Sequence, residues 1–401
     1  MKANPGGGID PRHVVGRDRL IQRLWETLSR QSVILVAERR MGKSCVVKKM
    51  IADGHAGMVT VYRDVEGVTT PFEFAECVYR DVETHLNRLG KTARRVKGLL
   101  KQLAGMEVAG LVKLPEAVAP HWKALLEKAV EDLAKQQDQT AVLFWDELPL
   151  MLKKIRESTG EAVAMEVLDT LRGLRQMHGG VRMVYTGSIG LHHVTTALRE
   201  AGHANDATND MRSVEVPELS IEDAAFLVRE LLKGEELACD DPQDTARQLA
   251  EEVDCIPFYV HWVVASLKDR GDLAGGDLVR QVVGEALVDP QDPWHLGHYR
   301  DRLKEYYGQE RMPVVLALLD DLSLAPAALA LDELASRVAV RVKPDSGETA
   351  ARILGGDREL LRSILLLLQR DHYLRQQPED GSYRFRFPLI ARWWRLHRNL
   401  S

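Results

Sequence analysis

The chain of 401 residues predicts an α/β core with a parallel sheet, then an all-helical block, then a C-terminal module of helices closed by a hairpin. Three observations carry this. Between residues 17 and 186, short apolar runs alternate with segments of helical period, as in a parallel α/β sheet. After Pro217 the strand-like runs stop and three helical patterns follow one another. Residues 312–401 carry three helical patterns and then two β-like runs on either side of Pro378-Glu379-Asp380-Gly381, a hairpin signal. The expected layout is a flexible N-terminal lead over 1–15, the α/β core over 16–217, a helical lid and connector over 218–311, and a winged helix-turn-helix over 312–401. A chain of this length exceeds one ordinary core, which fits such a division.

Each element follows from its local pattern. Residues 17–30 read as a helix, because Leu20, Ile21, Leu24 and Leu28 recur at helical spacing. Residues 32–37 read as a buried strand, and a helix through Val46, Val47 and Met50 follows its turn. Residues 58–62 are the second strand. Residues 71–135 are mostly helical, with an irregular part around 98–120. Strands at 140–145 and 181–186 flank a helix at 161–177. In the lid, 220–232, 242–253 and 258–267 read as helices, the first capped by Ser220 with Asp223 three residues on. The Gly-, Asp- and Pro-bearing stretch 271–293 reads as a connector. In the last module, short helical patterns at 314–322 and 331–338 precede a polar connection at 343–348. A helix at 357–370 and β runs at 373–377 and 383–387 complete it.

Composition narrows the function. Hydrophobic content of 45% and charged content of 28% are those of a soluble globular chain. The net charge of −5 excludes a nucleic-acid coat spread over the whole molecule, so any such surface must be local. The four cysteines, Cys45, Cys77, Cys239 and Cys255, show neither metal-ligand spacing nor a paired framework. They are expected as buried, reduced thiols. No signal peptide opens the sequence and no apolar run is long enough to span a bilayer. The expected location is cytoplasmic, with no membrane partner.

The segment richest in chemistry is Ala37-Glu38-Arg39-Arg40-Met41-Gly42-Lys43-Ser44. Apart from Ala37 in place of the first Gly, it matches the phosphate-binding template G-x-x-x-x-G-K-[ST]. Such a loop needs backbone N–H groups bent around phosphate oxygens and a helix N-terminus aimed at them. Gly42 permits the close approach, Lys43 reaches the β- and γ-phosphates, and the Ser44 hydroxyl joins a Mg²⁺ shell. A Gly-Lys-Ser triplet alone is a weak signal, but this one follows a strand and opens a helix. A second apolar strand ends in Asp146-Glu147. There Asp146 is placed to hold Mg²⁺ through water and Glu147 to orient and deprotonate an attacking water. An ordinary strand end with two solvated acids is the alternative, and its position downstream of a phosphate-binding loop disfavours it. Ser188, in Tyr185-Thr186-Gly187-Ser188, is either a turn serine or a polar group that senses the γ-phosphate.

With these three segments in order, the chain resembles the STAND-type branch of the AAA+ P-loop NTPases, and within it the archaeal-type ATPases and their bacterial relatives. The resemblance covers nearly the whole chain. It implies ATP and Mg²⁺ as cofactors on a parallel-sheet core with a helical lid and a C-terminal winged helix-turn-helix. Val15-Gly16-Arg17-Asp18 is similar to the family's N-terminal box, which places Gly16 and Arg17 near the adenine. Ala37, Arg39, Arg40, Met41, Gly42, Lys43, Ser44 and Cys45 fall in its arginine-rich phosphate loop. Asp146-Glu147-Leu148-Pro149 is similar to its second acidic motif, and Thr186-Gly187-Ser188 to its sensor strand. Arg212 is then either an arginine that faces a γ-phosphate or a surface arginine. Ile256-Pro257-Phe258 is similar to the family's Gly-x-Pro motif, whose proline packs by the nucleotide; Cys255 stands where a Gly is usual. Phe385-Arg386-Phe387-Pro388-Leu389 with Trp393-Trp394 is similar to the family's winged-helix ending.

The resemblance implies a slow, regulated ATPase switch that acts through self-assembly or a protein partner. The competing reading is a DNA-associated AAA+ ATPase of the loader or transposition-helper kind. For DNA speak Arg384, Arg386, Arg392, Arg395 and Arg398, interleaved with aromatics. Against it speaks the helix at 357–370, with its run from Leu360 to Leu368. That helix reads as apolar nearly all round and so as a protein-docking element rather than a reader of base edges.

Overall fold

The computed structural model describes residues 1–88, 116–136, 139–203 and 205–400. Most of the irregular stretch expected around 98–120 lies outside them. The chain forms two compact units, Ile9–Val216 and, together, Met1–Gly8 with Pro217–Ser401.

The first unit contains α1 (Asp18–Leu28), β1 (Val33–Val36), α2 (Lys43–Asp53), β2 (Met58–Asp64), α3 (Pro71–Arg88), α4 (Trp122–Gln136) and β3 (Thr140–Asp146). It continues with α5 (Leu148–Thr159), α6 (Glu161–Met177), β4 (Val181–Thr186), α7 (Leu191–Glu200) and β5 (Arg212–Glu215). The strands form one parallel sheet in the order β2-β3-β4-β1-β5. From Ala141 to Asp146, β3 is buried at every residue. A strand covered on both faces must be, and for that reason it reads as an unbroken apolar run. The buried stripe of α1, Leu20, Ile21, Leu24, Trp25 and Leu28, is the periodic set seen in sequence with Trp25 added. Parallel strands end on one edge, where α/β proteins bind ligands. Because β4 lies between β1 and β3, the turns leaving β1, β4 and β3 emerge there side by side.

The second unit is helical, with α8 (Ile221–Gly234), α9 (Pro242–Glu252), α10 (Pro257–Arg270), α11 (Gly276–Val288) and α12 (Gly297–Tyr306). Next come α13 (Gly308–Leu324), α14 (Leu331–Arg341), α15 (Glu348–Leu354) and α16 (Arg358–Arg370), then β6 (Leu374–Gln376), β7 (Tyr383–Phe385) and α17 (Pro388–Arg398). Ser220 caps α8, its Oγ accepting from the Asp223 N–H at 3.0 Å. The stretch read as a connector, 271–293, holds the helix α11, which buries Val279, Val282, Val283 and Leu287. Breakers at both ends obscured a short but regular apolar period. Residues 1–8, read as part of a flexible lead, are hydrogen-bonded into this unit: Ala3 N–H donates to Glu235 Oε1 at 2.7 Å and Asn4 N–H to His261 Nδ1 at 3.2 Å. Gly234 leaves the room this segment needs, since a Cβ there would lie 1.6 Å from Met1 O.

β6 and β7 pair antiparallel, Leu374 opposite Phe385 and Gln376 opposite Tyr383. Leu329 exchanges both backbone hydrogen bonds with Tyr383 at 2.8 Å. One expectation needs correcting here. α16 is not apolar all round. Leu361, Ile364, Leu365 and Leu368 are buried, whereas Arg362, Ser363 and Leu366 are exposed. The apolar side is used inside its own module, so it is not a free docking face. The arginines also differ from one another. Arg386 pairs with Glu218 at 3.4 Å, Arg392 with Glu252 at 2.9 Å and Arg398 with Asp320 at 2.8 Å. Arg384 and Arg395 are exposed. Phe385, Phe387, Trp393 and Trp394 are all buried. The four cysteines are free and half-buried rather than buried.

Candidate functional site

The phosphate-binding segment is built by the exit of β1. Arg40 (φ 71°) and Gly42 (φ 84°) are both left-handed, which turns the chain back on itself before α2 starts at Lys43. A Cβ at Gly42 would meet only Cys45 Cβ, at 3.8 Å. Backbone conformation, not space, is therefore what calls for glycine there. Ala37 is not among the left-handed residues, so its side chain is accommodated where the template has Gly. Lys43 Nζ donates to Ala37 O at 2.8 Å and Glu38 O at 3.5 Å, drawing the loop around its own ammonium. Glu38, almost fully buried, accepts the Arg39 N–H at 2.7 Å. Behind the loop, the buried Arg17 donates from Nη2 to Met41 O at 3.0 Å, next to Gly16, itself left-handed at φ 70°. Burial raises the Cys45 thiol above its usual range.

Asp146, at the end of β3, is buried and takes four donors on its two oxygens. Oδ2 accepts from Ser44 Oγ at 2.9 Å and Tyr62 OH at 3.3 Å. Oδ1 accepts from Thr186 Oγ1 at 2.9 Å and the Glu147 N–H at 3.2 Å. Glu147 is left-handed (φ 60°), which swings its side chain out of the strand direction. Its Oε2 accepts both the Ser188 N–H and the Ser188 hydroxyl, each at 2.8 Å. Burial raises the Glu147 carboxyl; the two Ser188 bonds oppose this, Asp146 adds to it and Lys43 opposes it. Gly187 allows the fit, because a Cβ there would lie 2.7 Å from Pro149 Cδ. The turn after β4 therefore packs directly on the turn after β3 and delivers Ser188 to Glu147.

The structure thus brings together Ala37, Arg39, Arg40, Gly42, Lys43, Ser44, Asp146, Glu147 and Ser188. It does not bring Arg212 to them. Arg212 is exposed at the amino end of β5, beside Val33, whereas the phosphate loop leaves the carboxyl end of β1 after Val36. In a parallel sheet those are opposite edges, about 10 Å apart at ~3.3 Å per residue. Of the two readings left open for Arg212, its position here agrees with a surface arginine. Pro257 opens α10 in the second unit, and Cys255, standing where a Gly is usual, has the left-handed φ of 56° that a Gly favours. Tyr62 lies in no motif, and Thr186 stood only within the sensor-strand segment without a role of its own. The pairing of β2, β3 and β4 discloses their reach to Asp146.

The residues fit a nucleotide and its metal. Arg39 Nε is buried without a hydrogen-bond partner, an uncommitted donor in the phosphate loop. The Ser44 hydroxyl and the Asp146 carboxylate are adjacent hard oxygen donors of the kind Mg²⁺ takes.

No protein-family model and no curated protein matches the chain. Among solved structures it is similar to the Walker-type ATPase of Pyrococcus abyssi, with 16% identity over 95% of this chain and 96% of that one and a TM-score of 0.59. It also aligns with the ORC2 protein of Aeropyrum pernix at 13% identity, over 95% of this chain and 92% of that one, TM-score 0.49. A STAND protein with a tetratricopeptide repeat sensor from Pyrococcus horikoshii aligns at 13% identity over 95% of this chain and 42% of that one, TM-score 0.38. At such identities the likeness concerns the fold alone, and the fold is the one shared with that Walker-type ATPase. Among the described residues, no helix is long and apolar enough to cross a membrane.

Proposed function

We propose that this chain is a Mg²⁺-dependent, ATP-binding and ATP-hydrolysing switch of the STAND/AAA+ kind, cytoplasmic, that couples its nucleotide state to self-assembly or to a protein partner. The observation that carries this is the Ser44–Asp146 hydrogen bond of 2.9 Å across 102 positions of sequence, with Lys43 on one side and Glu147 on the other. Lys43 exchanges the two loop carbonyls for β- and γ-phosphate oxygens. Arg39 offers its uncommitted Nε to the same anion. Ser44, and Asp146 through water, would hold Mg²⁺, which when bound supplies positive charge against the phosphate oxygens. Glu147 takes the proton of the water that attacks the γ-phosphorus, and the bond to the leaving ADP oxygen breaks. Ser188 acts on Glu147 first, fixing which way its carboxylate faces. Gly16 and Arg17, the latter bonded to Met41 O, are assigned to the base side.

Equilibrium binding of a fluorescent ATP analogue with Mg²⁺ tests this reading. Lys43→Ala is expected to weaken binding by at least tenfold, roughly the worth of one charge-assisted hydrogen bond. Unchanged affinity in that variant removes the assignment.

A second reading, a DNA-associated ATPase, has one observation in its favour. Reading β6, β7 and the helices before them as a winged helix, the wing carries Arg375 directly opposite Arg384, both exposed. Like charges facing each other across a hairpin are unfavourable unless an anion lies between them.

A further inference from the structure

We infer that Tyr62 is a positioning residue for the metal carboxylate: through its hydroxyl it fixes the rotamer of Asp146 and so sets how strongly this site takes Mg²⁺. The inference rests on the nucleotide-site reading above and extends it to a residue that no motif contains.

The placement follows from register. β2 pairs with β3 so that Tyr62 stands opposite Phe144 and Asp64 opposite Asp146. Side chains two apart on a strand share a face, so Tyr62 and Asp146 lie on the same side of adjacent strands. A tyrosine is long enough to span that diagonal, and its OH comes to 3.3 Å from Asp146 Oδ2. This is the same oxygen that accepts from Ser44 Oγ at 2.9 Å. The oxygen that faces the other Mg²⁺ donor is therefore held from two sides. Oδ1 is held from the opposite side by Thr186 and by the Glu147 N–H.

The two holds differ in what they do when a cation binds. Ser44 has one O–H and two lone pairs, so it can keep donating to Oδ2 while a lone pair takes the cation, and it is then shared between the two. Tyr62 is not shared in this way and can keep donating to Oδ2, or to a water in the metal's shell. Tyr62 thus supplies Oδ2 with a donor that is not itself a candidate ligand of the cation. Hydrogen-bond partners of metal ligands typically contribute ten- to a hundredfold to metal affinity.

Tyr62→Phe keeps the ring and removes only the hydroxyl. The measurement is binding of a fluorescent ATP analogue to the full chain, titrated with Mg²⁺ and repeated in EDTA, with the thermal melt of each protein alongside. The expected result is about a tenfold rise in the Mg²⁺ concentration for half-maximal enhancement, with metal-free binding and melting unchanged. A Mg²⁺ requirement identical in both proteins overturns the inference. So does an equal loss with and without Mg²⁺, because Tyr62 would then serve the fold or the nucleotide instead. If the wild-type protein shows no Mg²⁺ enhancement at all, the site reading itself fails and this inference with it.

Discussion

At the scale of residues, the site separates two carboxylates that are neighbours in sequence. Asp146 is buried and surrounded by donors from Ser44, Tyr62, Thr186 and the Glu147 backbone. Those donors fix the direction of both its oxygens. Glu147 turns away through its left-handed backbone and binds Ser188 instead. One group is suited to hold a cation and the other to handle a proton. Glu147→Gln is expected to bind ATP with near-normal affinity and to hydrolyse it about 10²–10⁴-fold more slowly, the usual cost of losing a general base. Ser188→Ala is expected to slow hydrolysis less, because the Ser188 N–H still donates to Glu147. Phosphate release in single turnover, beside equilibrium binding, measures both. Glu147→Gln turning over at the wild-type rate contradicts the role. The Lys43, Ser44, Asp146 and Glu147 cluster was legible in the sequence because each half is a local motif at a strand end. The bonds of Tyr62 and Thr186 to Asp146 were not, since they act across 84 and 40 positions and depend on strand order. Arg212 was left with two readings for a related reason: nothing local reveals at which end of a strand a residue sits.

At the scale of elements, the patterns that local chemistry dictates were readable. The Ser220 cap, the strand β3 and the hairpin of β6 and β7 all stand where turn and periodicity signals put them. β5, with four residues, and α15, with seven, were too short to show a period. One contact between elements has a measurable consequence. Asp254, left-handed at the end of α9, accepts the Leu389 N–H at 2.8 Å. It thereby caps α17, whose own N-cap Phe387 provides no side-chain bond. Burial raises the Asp254 carboxyl to about 7; the Leu389 bond opposes this, and Glu218 and Glu252 add to it. These two acids are in turn paired with Arg386 and Arg392. A folded-state pKa above the unfolded value means the native state holds the proton more tightly. That contribution to stability is complete below about pH 4, declines between about 4 and about 7, and is absent above. His261, lowered by burial to about 4, contributes in the opposite sense over an overlapping range, so only a difference curve isolates Asp254. Relative to Asp254→Asn, the wild type is expected to lose stability from pH 5 to 7 at no more than about 1.4 kcal/mol per pH unit. Denaturant melts at each pH supply the curve, and a pH-independent difference between the two proteins excludes this role for Asp254.

At the scale of the whole molecule, the choice is between a partner protein and DNA, and the second unit changes both sides of it. The arginine run that spoke for DNA is largely engaged within the chain, since Arg386, Arg392 and Arg398 pair with Glu218, Glu252 and Asp320. The apolar helix that spoke for protein docking is also engaged, because the apolar side of α16 lies in its own core. On the hairpin, the exposed cations are Arg375 and Arg384, and the turn between their strands carries Glu379 and Asp380. Two arginines neutralise about two phosphates, so a duplex contact built on them has a slope of log K against log salt near −2, at about −0.9 per phosphate. Binding of that kind is weak at physiological salt. Full-length protein is therefore expected to bind duplex DNA only at low salt, with that shallow slope. Arg375→Ala with Arg384→Ala is expected to abolish the binding without altering ATP affinity. Light scattering is expected to show a change in assembly state when ATP and Mg²⁺ are added. Fluorescence anisotropy with labelled duplexes across a salt series decides the matter. A slope steeper than about −5, which requires about six or more phosphate contacts, together with an assembly state indifferent to ATP, makes DNA the partner and displaces the protein-coupled switch.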